Sequence, residues 1–264
     1  MGADDDHWCE LGFDDAAAAR YASPRQVARV LTEGWMGLNG FCPACAADRL
    51  QPLPNNAPAG DFRCGDCGEE YELKAKRGPP GRKIVDGAYE TMLGRVAAAN
   101  NPSLFVMGYD PAALRVTDLI VVPRHFFTAA LIEPKPPTWP KGRSAPWRGC
   151  NILIGDVPAA GRIPLVRAGV RTPRAEVRDR WGASLFLRDA GQSARGWLIE
   201  VMKAVEDIER PEFTLAEVYT FEPRLAALFP RNHNVRPKIR QQLQVLRDVG
   251  WLEFTGKGTY RRGV

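Results

Sequence analysis

Asp61, Glu72 and Lys74 form a D…ExK pattern within residues 61–76, DFRCGDCGEEYELKAK. Two carboxylates and a backbone carbonyl, here that of Leu73, can hold one Mg2+ through hard oxygen ligands. A metal so held acidifies a bound water and stabilises charge building on a phosphodiester. Glu72 and Lys74 are two residues apart, so on a strand both project from one face. The ammonium would then stand where it can assist the attacking water and the developing negative charge. The same residues also read as a charged hairpin, Glu69 to Lys76, with a solvated face, and the pattern alone does not choose between the two.

The cysteines narrow the choice. Cys42-x2-Cys45 and Cys64-x2-Cys67 are separated by about 18 residues, inside the spacer of about 15–20 that marks four-cysteine zinc sites. The alternatives are disulfides or free thiols. No signal peptide is visible, and thiols in the cytosol stay reduced, so zinc is expected. A closed site of four thiolates is structural, not catalytic. It would rigidify the loop that ends at Asp61 and so hold one edge of the Mg2+ site. Cys9 and Cys150 are left without a role.

The elements that must position these groups follow from periodicity. Residues 24–36 read as a helix, with Ser23 as N-cap, Pro24 in its first turn and Val27, Val30, Leu31 and Trp35 at helical spacing. Glu33 on that helix is a candidate acid behind the metal site, or a surface glutamate. Residues 61–76 should form two short strands around the turn at 65–68. The basic loop RGPPGRK (77–83) reads as one whose bases reach DNA phosphates, or as one that is only solvated. A helix is expected over 84–98, through Tyr89, Met92, Leu93 and Val96. Residues 103–109 and 117–123 are short apolar runs bounded by turn signals, which read as buried strands. Strands on both sides of a helix predict an α/β domain with a mixed sheet. The acidic start, residues 1–20, reads as a frayed segment leading into a helix.

A Pro-rich loop, EPKPPTWPKGRSAPWR (133–148), interleaves tryptophans with bases, a pairing that suits nucleic acid. Trp147 and Arg148 are expected to face DNA, whereas Trp139 is expected to pin the loop to the core. From Lys135 to Arg180 there are ten bases against Asp156, Glu176 and Asp179, an excess of seven where the whole chain carries +5. Phosphate binding needs charge concentrated in this way.

A polar stretch at 188–193 suggests a boundary, giving domains 1–190 and 191–264. Beyond it lie helical segments at 195–208, at Thr214 with a capping box to Glu217, and at 235–249 with Ile239, Leu243, Leu246 and Val249 inward. A glycine-tipped hairpin closes the chain. Three helices and a wing make a winged helix-turn-helix pattern. In such a domain the third helix enters the major groove with its N-terminal part. Asn232, His233, Asn234, Arg236, Lys238 and Gln241 are then the candidates for base edges or phosphates.

The segments LTEGW (31–35), FCPAC (41–45), GDFRCGDCGEEYELKAK (60–76), IVDGAYETM (84–92), WRGCNI (147–152), RGWLIE (195–200) and IRQQLQVLRD (239–248) resemble DpnI and its relatives, which are methyl-directed type II restriction endonucleases. The resemblance runs in order from about residue 28 to 262. It implies a PD-(D/E)xK nuclease domain bearing a zinc site, then a winged-helix DNA-binding domain. It implies cleavage of double-stranded DNA at GATC sites whose adenine carries an N6-methyl group, leaving a 5′-phosphate and a 3′-hydroxyl. One departure stands out: Gly60, not proline, precedes Asp61.

Bulk properties agree with such a protein without requiring it. The net charge of +5 and a pI near 9.0 suit an anionic partner. No apolar run approaches the roughly 20 residues of a membrane span. A cytoplasmic monomer with Mg2+ and Zn2+ as cofactors is expected. Two other functions fit the same features: a zinc-bearing winged-helix regulator without nuclease activity, and a nuclease of this architecture with another target site.

Overall fold

A computed structural model describes residues 8–16, 18–54, 60–139 and 146–263. Two units divide it: Met1–Gly155 with Ala160–Ser184, and Asp156–Ala159 with Leu185–Val264.

The first unit is built on the apolar run SLFVMGYD, which forms β5 (Ser103–Asp110) and is buried along almost its whole length. Burial on both faces places a strand at the centre of a sheet. Around it run α1 (Pro24–Asn39), β1 (Gln51–Pro52), β2 (Phe62–Arg63), β3 (Glu70–Arg77), β4 (Ile84–Ala88) and α2 (Tyr89–Ala97). After β5 come β6 (Arg115–Val122), β7 (Ile132–Pro134), β8 (Gly149–Ile152), β9 (Ile163–Arg167), β10 (Val170–Arg171) and α3 (Arg174–Gly182). Seven strands form one sheet in the order β1-β2-β3-β5-β6-β9-β10. β3 and β5 pair parallel, Glu72 opposite Leu104, while the other neighbours pair antiparallel. A parallel pair needs a crossover, and β4 with α2 forms it. A second sheet has the order β4-β8-β7. The fold is therefore α/β with a mixed sheet, as the sequence predicts.

Two local expectations are corrected. Residues 84–88 are a strand, not the first turn of a helix. Ile84 and Val85 pair with Ile152 and Asn151, and their β-branched side chains suit the pleat. The acidic start forms no helix among its described residues. Gly12 bridges Arg115, and Trp8 and Leu11 are buried. The Trp8 indole N–H donates to the Thr172 carbonyl at 2.9 Å, and that of Trp35 donates to the Glu10 carbonyl at 2.7 Å. Burying these apolar groups outweighs the local acidity. In α1, Pro24 lies in the first turn, but Ser23 makes no side-chain capping bond.

The second unit contains α4 (Phe186–Asp189), α5 (Gln192–Glu206), β11 (Glu212–Thr214), α6 (Leu215–Tyr219), α7 (Glu222–Leu228), α8 (Val235–Asp248), β12 (Leu252–Gly256) and β13 (Thr259–Arg262). The strands order as β11-β13-β12. The capping box forms: the Glu217 N–H donates to the Thr214 hydroxyl at 3.3 Å, and the Thr214 N–H to the Glu217 carboxylate at 2.8 Å. Ile239, Leu243 and Leu246 of α8 are buried, whereas Val249 lies beyond the helix end and is exposed. The unit is a helix-turn-helix with a β12–β13 wing. Among the described residues of the chain, no helix is long and apolar enough to cross a membrane.

Candidate active site

Asp61 sits just before β2 and is tied twice to β3. Its N–H donates to the Tyr71 carbonyl at 2.8 Å, and its carboxylate accepts the Leu73 N–H at 2.8 Å. In an extended strand a residue's N–H and C=O leave on the same edge, so the Leu73 carbonyl lies on the edge that faces Asp61. Gly60 explains the missing proline. Its φ is +146°, and a Cβ there would lie 2.7 Å from the Tyr71 carbonyl oxygen. Proline, fixed near −65°, cannot adopt that backbone.

Glu72 and Lys74 share one face of β3, and their side chains meet, Lys74 Nζ lying 2.5 Å from Glu72 Oε1. The same ammonium lies 2.7 Å from Asp86 Oδ1 on β4. Burial acts to lower the Lys74 pKa, but the Glu72 and Asp86 carboxylates outweigh it and raise it to about 12. Lys74 is thus held charged between two carboxylates from two sheets. Asp86 has no place in the D…ExK pattern. Its signal in the sequence was its position in IVDGAYETM, a segment shared with the resembling family but read as helix.

A cleft of about 580 Å3 opens beside Lys74. Arg25, Arg29 and Glu33 of α1, Lys76 of β3, and Lys83 line it. Glu33 pairs with Arg29 at 2.7 Å, and Lys83 with Glu133 at 2.6 Å. Three of the five cations, counting Lys74, are paired with carboxylates (Arg29 with Glu33, Lys83 with Glu133, Lys74 with Glu72 and Asp86), which leaves Arg25 and Lys76 as the charges this cleft offers a phosphate backbone.

The four cysteine sulfurs of Cys42, Cys45, Cys64 and Cys67 lie within 4.8 Å of one another. Cys42 and Cys67 are 3.7 Å apart, and Cys45 and Cys64 are 3.6 Å apart. Four thiolates at about 2.3 Å from a tetrahedral Zn2+ stand about 3.8 Å from one another, so the donor set and its spacing fit zinc. Disulfide sulfurs would lie near 2.05 Å. Burial raises the Cys42 thiol strongly and the Cys67 thiol to about 11. At Cys64 burial also acts upward, but the backbone N–H groups of Cys67 and Asp66 outweigh it and lower the pKa. Such thiols ionise together only when a cation replaces their protons.

Tyr71 joins the two sites. It is fully buried and stacks on Phe105 with ring centroids 4.9 Å apart. Its hydroxyl lies 3.1 Å from Cys42 Sγ, its carbonyl holds Asp61, and Glu72 follows it in the chain. Three of the counted arginines belong to structure rather than to phosphate. Arg174 pairs with Asp48 at 2.8 Å and lies over the Phe41 ring, Arg178 donates to the Ala46 carbonyl, and Arg180 pairs with Glu176. Arg174 and Arg178 clamp the cysteine loop to α3.

Trp147 and Arg148 lie on the hairpin that carries β7 and β8. Thr138 and Trp147 exchange backbone hydrogen bonds at 2.8 and 2.7 Å. The Trp147 ring lies on Gly149, where a Cβ would come within 2.7 Å of it. The ring is half-buried and Arg148 exposed. Trp139 does not pin the loop: it is 70% exposed, because the Thr138–Trp147 pairing turns its neighbour outward. Lys141 and Arg143 lie outside the described residues.

In the second unit, Asn232, His233, Asn234, Arg236, Lys238 and Gln241 gather at the start of α8. Asn232 Oδ1 accepts the Asn234 N–H at 2.8 Å. Arg236 pairs with Glu222 at 2.7 Å and lies over the Tyr219 ring. Lys238 donates to Gln241 Oε1 at 2.7 Å. The sequence gives no apolar candidate here, but the structure does. A cavity of about 580 Å3 is lined by Trp197, Leu228, Phe229, Asn232, His233 and Lys238. Leu228 is 43% exposed, and Trp197 stacks on Phe229 with centroids 4.1 Å apart.

A mixed α/β unit that gathers carboxylates and an ammonium beside a basic cleft, followed by a winged helix, defines a DNA-acting protein. Residues 9–190 match the family model DpnI, described as the Dam-replacing family, and residues 193–262 match its companion, described as the Dam-replacing HTH domain. The chain belongs to the DpnI, Dam-replacing family and is a methyl-directed restriction enzyme with DNA as its partner.

Proposed function

We propose that the protein cleaves double-stranded DNA at GATC sites carrying N6-methyladenine, by Mg2+-dependent phosphodiester hydrolysis on a PD-(D/E)xK core. The observation that carries this reading is the docking of Asp61 on the backbone of β3 between Glu72 and Lys74, its carboxylate on the Leu73 N–H at 2.8 Å, while Glu72 and Lys74 meet at 2.5 Å on one face of that strand. Asp61, Glu72 and the Leu73 carbonyl would hold Mg2+, which supplies an acidified water and stabilises charge on the phosphate. Lys74, charged and half-shielded, positions that water and faces the charge that develops. The basic cleft takes the backbone, residues 1–190 carrying cleavage and 191–264 carrying the second reading of the site.

Adenine N6 lies on the major-groove edge, so its methyl is accessible there. One methyl buried on an apolar surface is worth about 0.8 kcal/mol, roughly fourfold in binding. A palindrome carries two methyls. If both units sense both, the sum is about 3 kcal/mol, roughly two hundredfold. Trp147 offers the apolar surface in the first unit, and Leu228 with Phe229 offers it in the second.

Digestion of one plasmid in GATC-methylated and unmethylated forms, with Mg2+ or chelator, tests this reading. Fragments from the methylated form alone, and only with Mg2+, are expected. Cutting of both forms would end the methyl reading. Binding without cutting would end the catalytic one.

A further inference from the structure

We propose that Asp86 is a positioning residue for catalysis: from β4 it holds the Lys74 ammonium so that the remaining N–H points at the attacking water and the scissile phosphate. The inference rests on the catalytic reading of Lys74 given above.

The geometry is specific. Lys74 and Asp86 come from different sheets, β3 from the seven-stranded sheet and β4 from the three-stranded one. The Asp86 side chain is only 10% exposed, and its Oδ1 lies 2.7 Å from Lys74 Nζ. A carboxylate so enclosed needs a charged partner, and Lys74 is the one it has here. An ammonium has three N–H donors. Glu72 and Asp86 take two, and a tetrahedral nitrogen with two donors fixed has the direction of its third fixed as well.

Glu72 alone would be a poor anchor. Its carboxylate is also a proposed Mg2+ ligand, so its position follows the metal. Asp86 is anchored independently of β3. Its pairing partner on β8 is Cys150, and a register shift follows immediately between Asp86 and Ala88. The bulge sets the turn of the chain at Asp86, as bulges beside active sites do. The charges also balance. Asp61, Glu72 and Asp86 with Lys74 sum to −2 when ionised, the charge that one divalent cation neutralises.

The test is cleavage of the methylated duplex by full-length Asp86→Asn, which is isosteric but uncharged. The kcat is expected to fall about 10–100-fold, the range for a misdirected catalytic group. KM for DNA and the Mg2+ midpoint are expected to stay within twofold. Lys74→Ala should lose at least as much, and the double variant should be no slower than Lys74→Ala, since the two act as one device. Asp86→Glu, which keeps the charge, should recover at least threefold over Asp86→Asn, and this keeps the proposal testable if the amide disturbs folding. Duplex binding in Ca2+ reports that each variant is folded. Normal cutting by Asp86→Asn, with Glu72→Gln inactive, would overturn the inference and leave the catalytic reading standing. Normal cutting by Glu72→Gln would overturn that reading itself. A raised Mg2+ midpoint in Asp86→Asn would make Asp86 a metal ligand, and an additive double variant would make it independent of Lys74; either overturns the proposal.

Discussion

Restoring a side chain at position 60 should damage catalysis more than folding. Gly60 has φ +146°, and a Cβ there would stand 2.7 Å from the Tyr71 carbonyl oxygen. The opposing atom is backbone, so the chain and not a flexible side chain must give way, by about 0.7 Å to reach ordinary contact. Holding a non-glycine residue in that backbone region costs about 1–3 kcal/mol. A domain of this size loses about 2–4 °C of Tm per kcal/mol, so Gly60→Ala should melt roughly 2–12 °C lower and remain folded at 25 °C. The rate should suffer more. The Tyr71 carbonyl that must yield is the one that accepts the Asp61 N–H at 2.8 Å, so the displacement is passed directly to Asp61. A catalytic group misplaced by about 1 Å costs about a hundredfold, and a shift of about 0.7 Å should still cost more than about tenfold. The assay pairs a thermal melt with single-turnover cleavage across a Mg2+ titration, where the midpoint should rise. Gly60→Pro, which recreates the literal PD dipeptide, should be worse than alanine because φ is fixed on the wrong side of zero. Gly60→Ala cutting within twofold of the parent, with unchanged melting, would refute the account of Asp61.

Three further outcomes are expected. Tyr71→Phe removes the hydroxyl 3.1 Å from Cys42 Sγ, a bond worth about 1 kcal/mol. Zinc release to a competing chelator should quicken about fivefold while the zinc-loaded enzyme cuts within about threefold of normal; an unchanged release rate would remove Tyr71 from the zinc site. Thr214→Ala breaks the capping box of α6 and should cost the second unit about 1 kcal/mol, read as an earlier denaturant midpoint with unaltered slope. Lys74 has a folded pKa of about 12, above its ordinary 10.5. Its ion pairs therefore contribute fully below pH 10.5 and are lost as pH rises through about 12. The difference in melting temperature between metal-free parent and Lys74→Met should be flat from pH 7 to 10 and shrink above that; a difference that shrinks below pH 9 would contradict the pairing.

The placement of Asp61, Glu72 and Lys74 was legible because it is local: strand alternation places Glu72 and Lys74 together, and a two-strand turn brings Asp61 back to the backbone of β3. The cysteines were legible for the same reason of spacing. Asp86 was not, because its strand exists only through pairing with residues 149–152, far along the chain. Without that partner, residues 84–88 continue smoothly into the helical pattern of α2. Trp139 misled for a related reason. An apolar ring in a loop suggests a buried pin, but its direction is set by the hydrogen bonds of its neighbour Thr138 to Trp147. Net charge misled at both ends: Arg174 and Arg178 are bound to the cysteine loop, and the acidic start is drawn inward by Trp8 and Leu11.

The cysteine cluster answers a weakness in the sheet. β1 and β2 have two residues each, and paired strands so short have no independent stability. Asp61 nonetheless precedes β2 directly, and its position must hold to within about 0.5 Å. Both flanks of this hairpin run into cysteines, Cys42 and Cys45 before β1, Cys64 and Cys67 between β2 and β3. A tetrahedral metal there would tie the two flanks together, and structural zinc contributes directly to folding. Stripping zinc, verified by metal analysis, should therefore lower the melting of the first unit and abolish cleavage, with Mg2+ unable to rescue it. Binding of a methylated duplex by the second unit, whose core of Leu225, Ile239, Leu243 and Leu246 contains no cysteine, should persist. An unchanged first-unit transition after verified metal loss would show that Arg174, Arg178 and the buried Phe41 alone suffice to hold Asp61 in place.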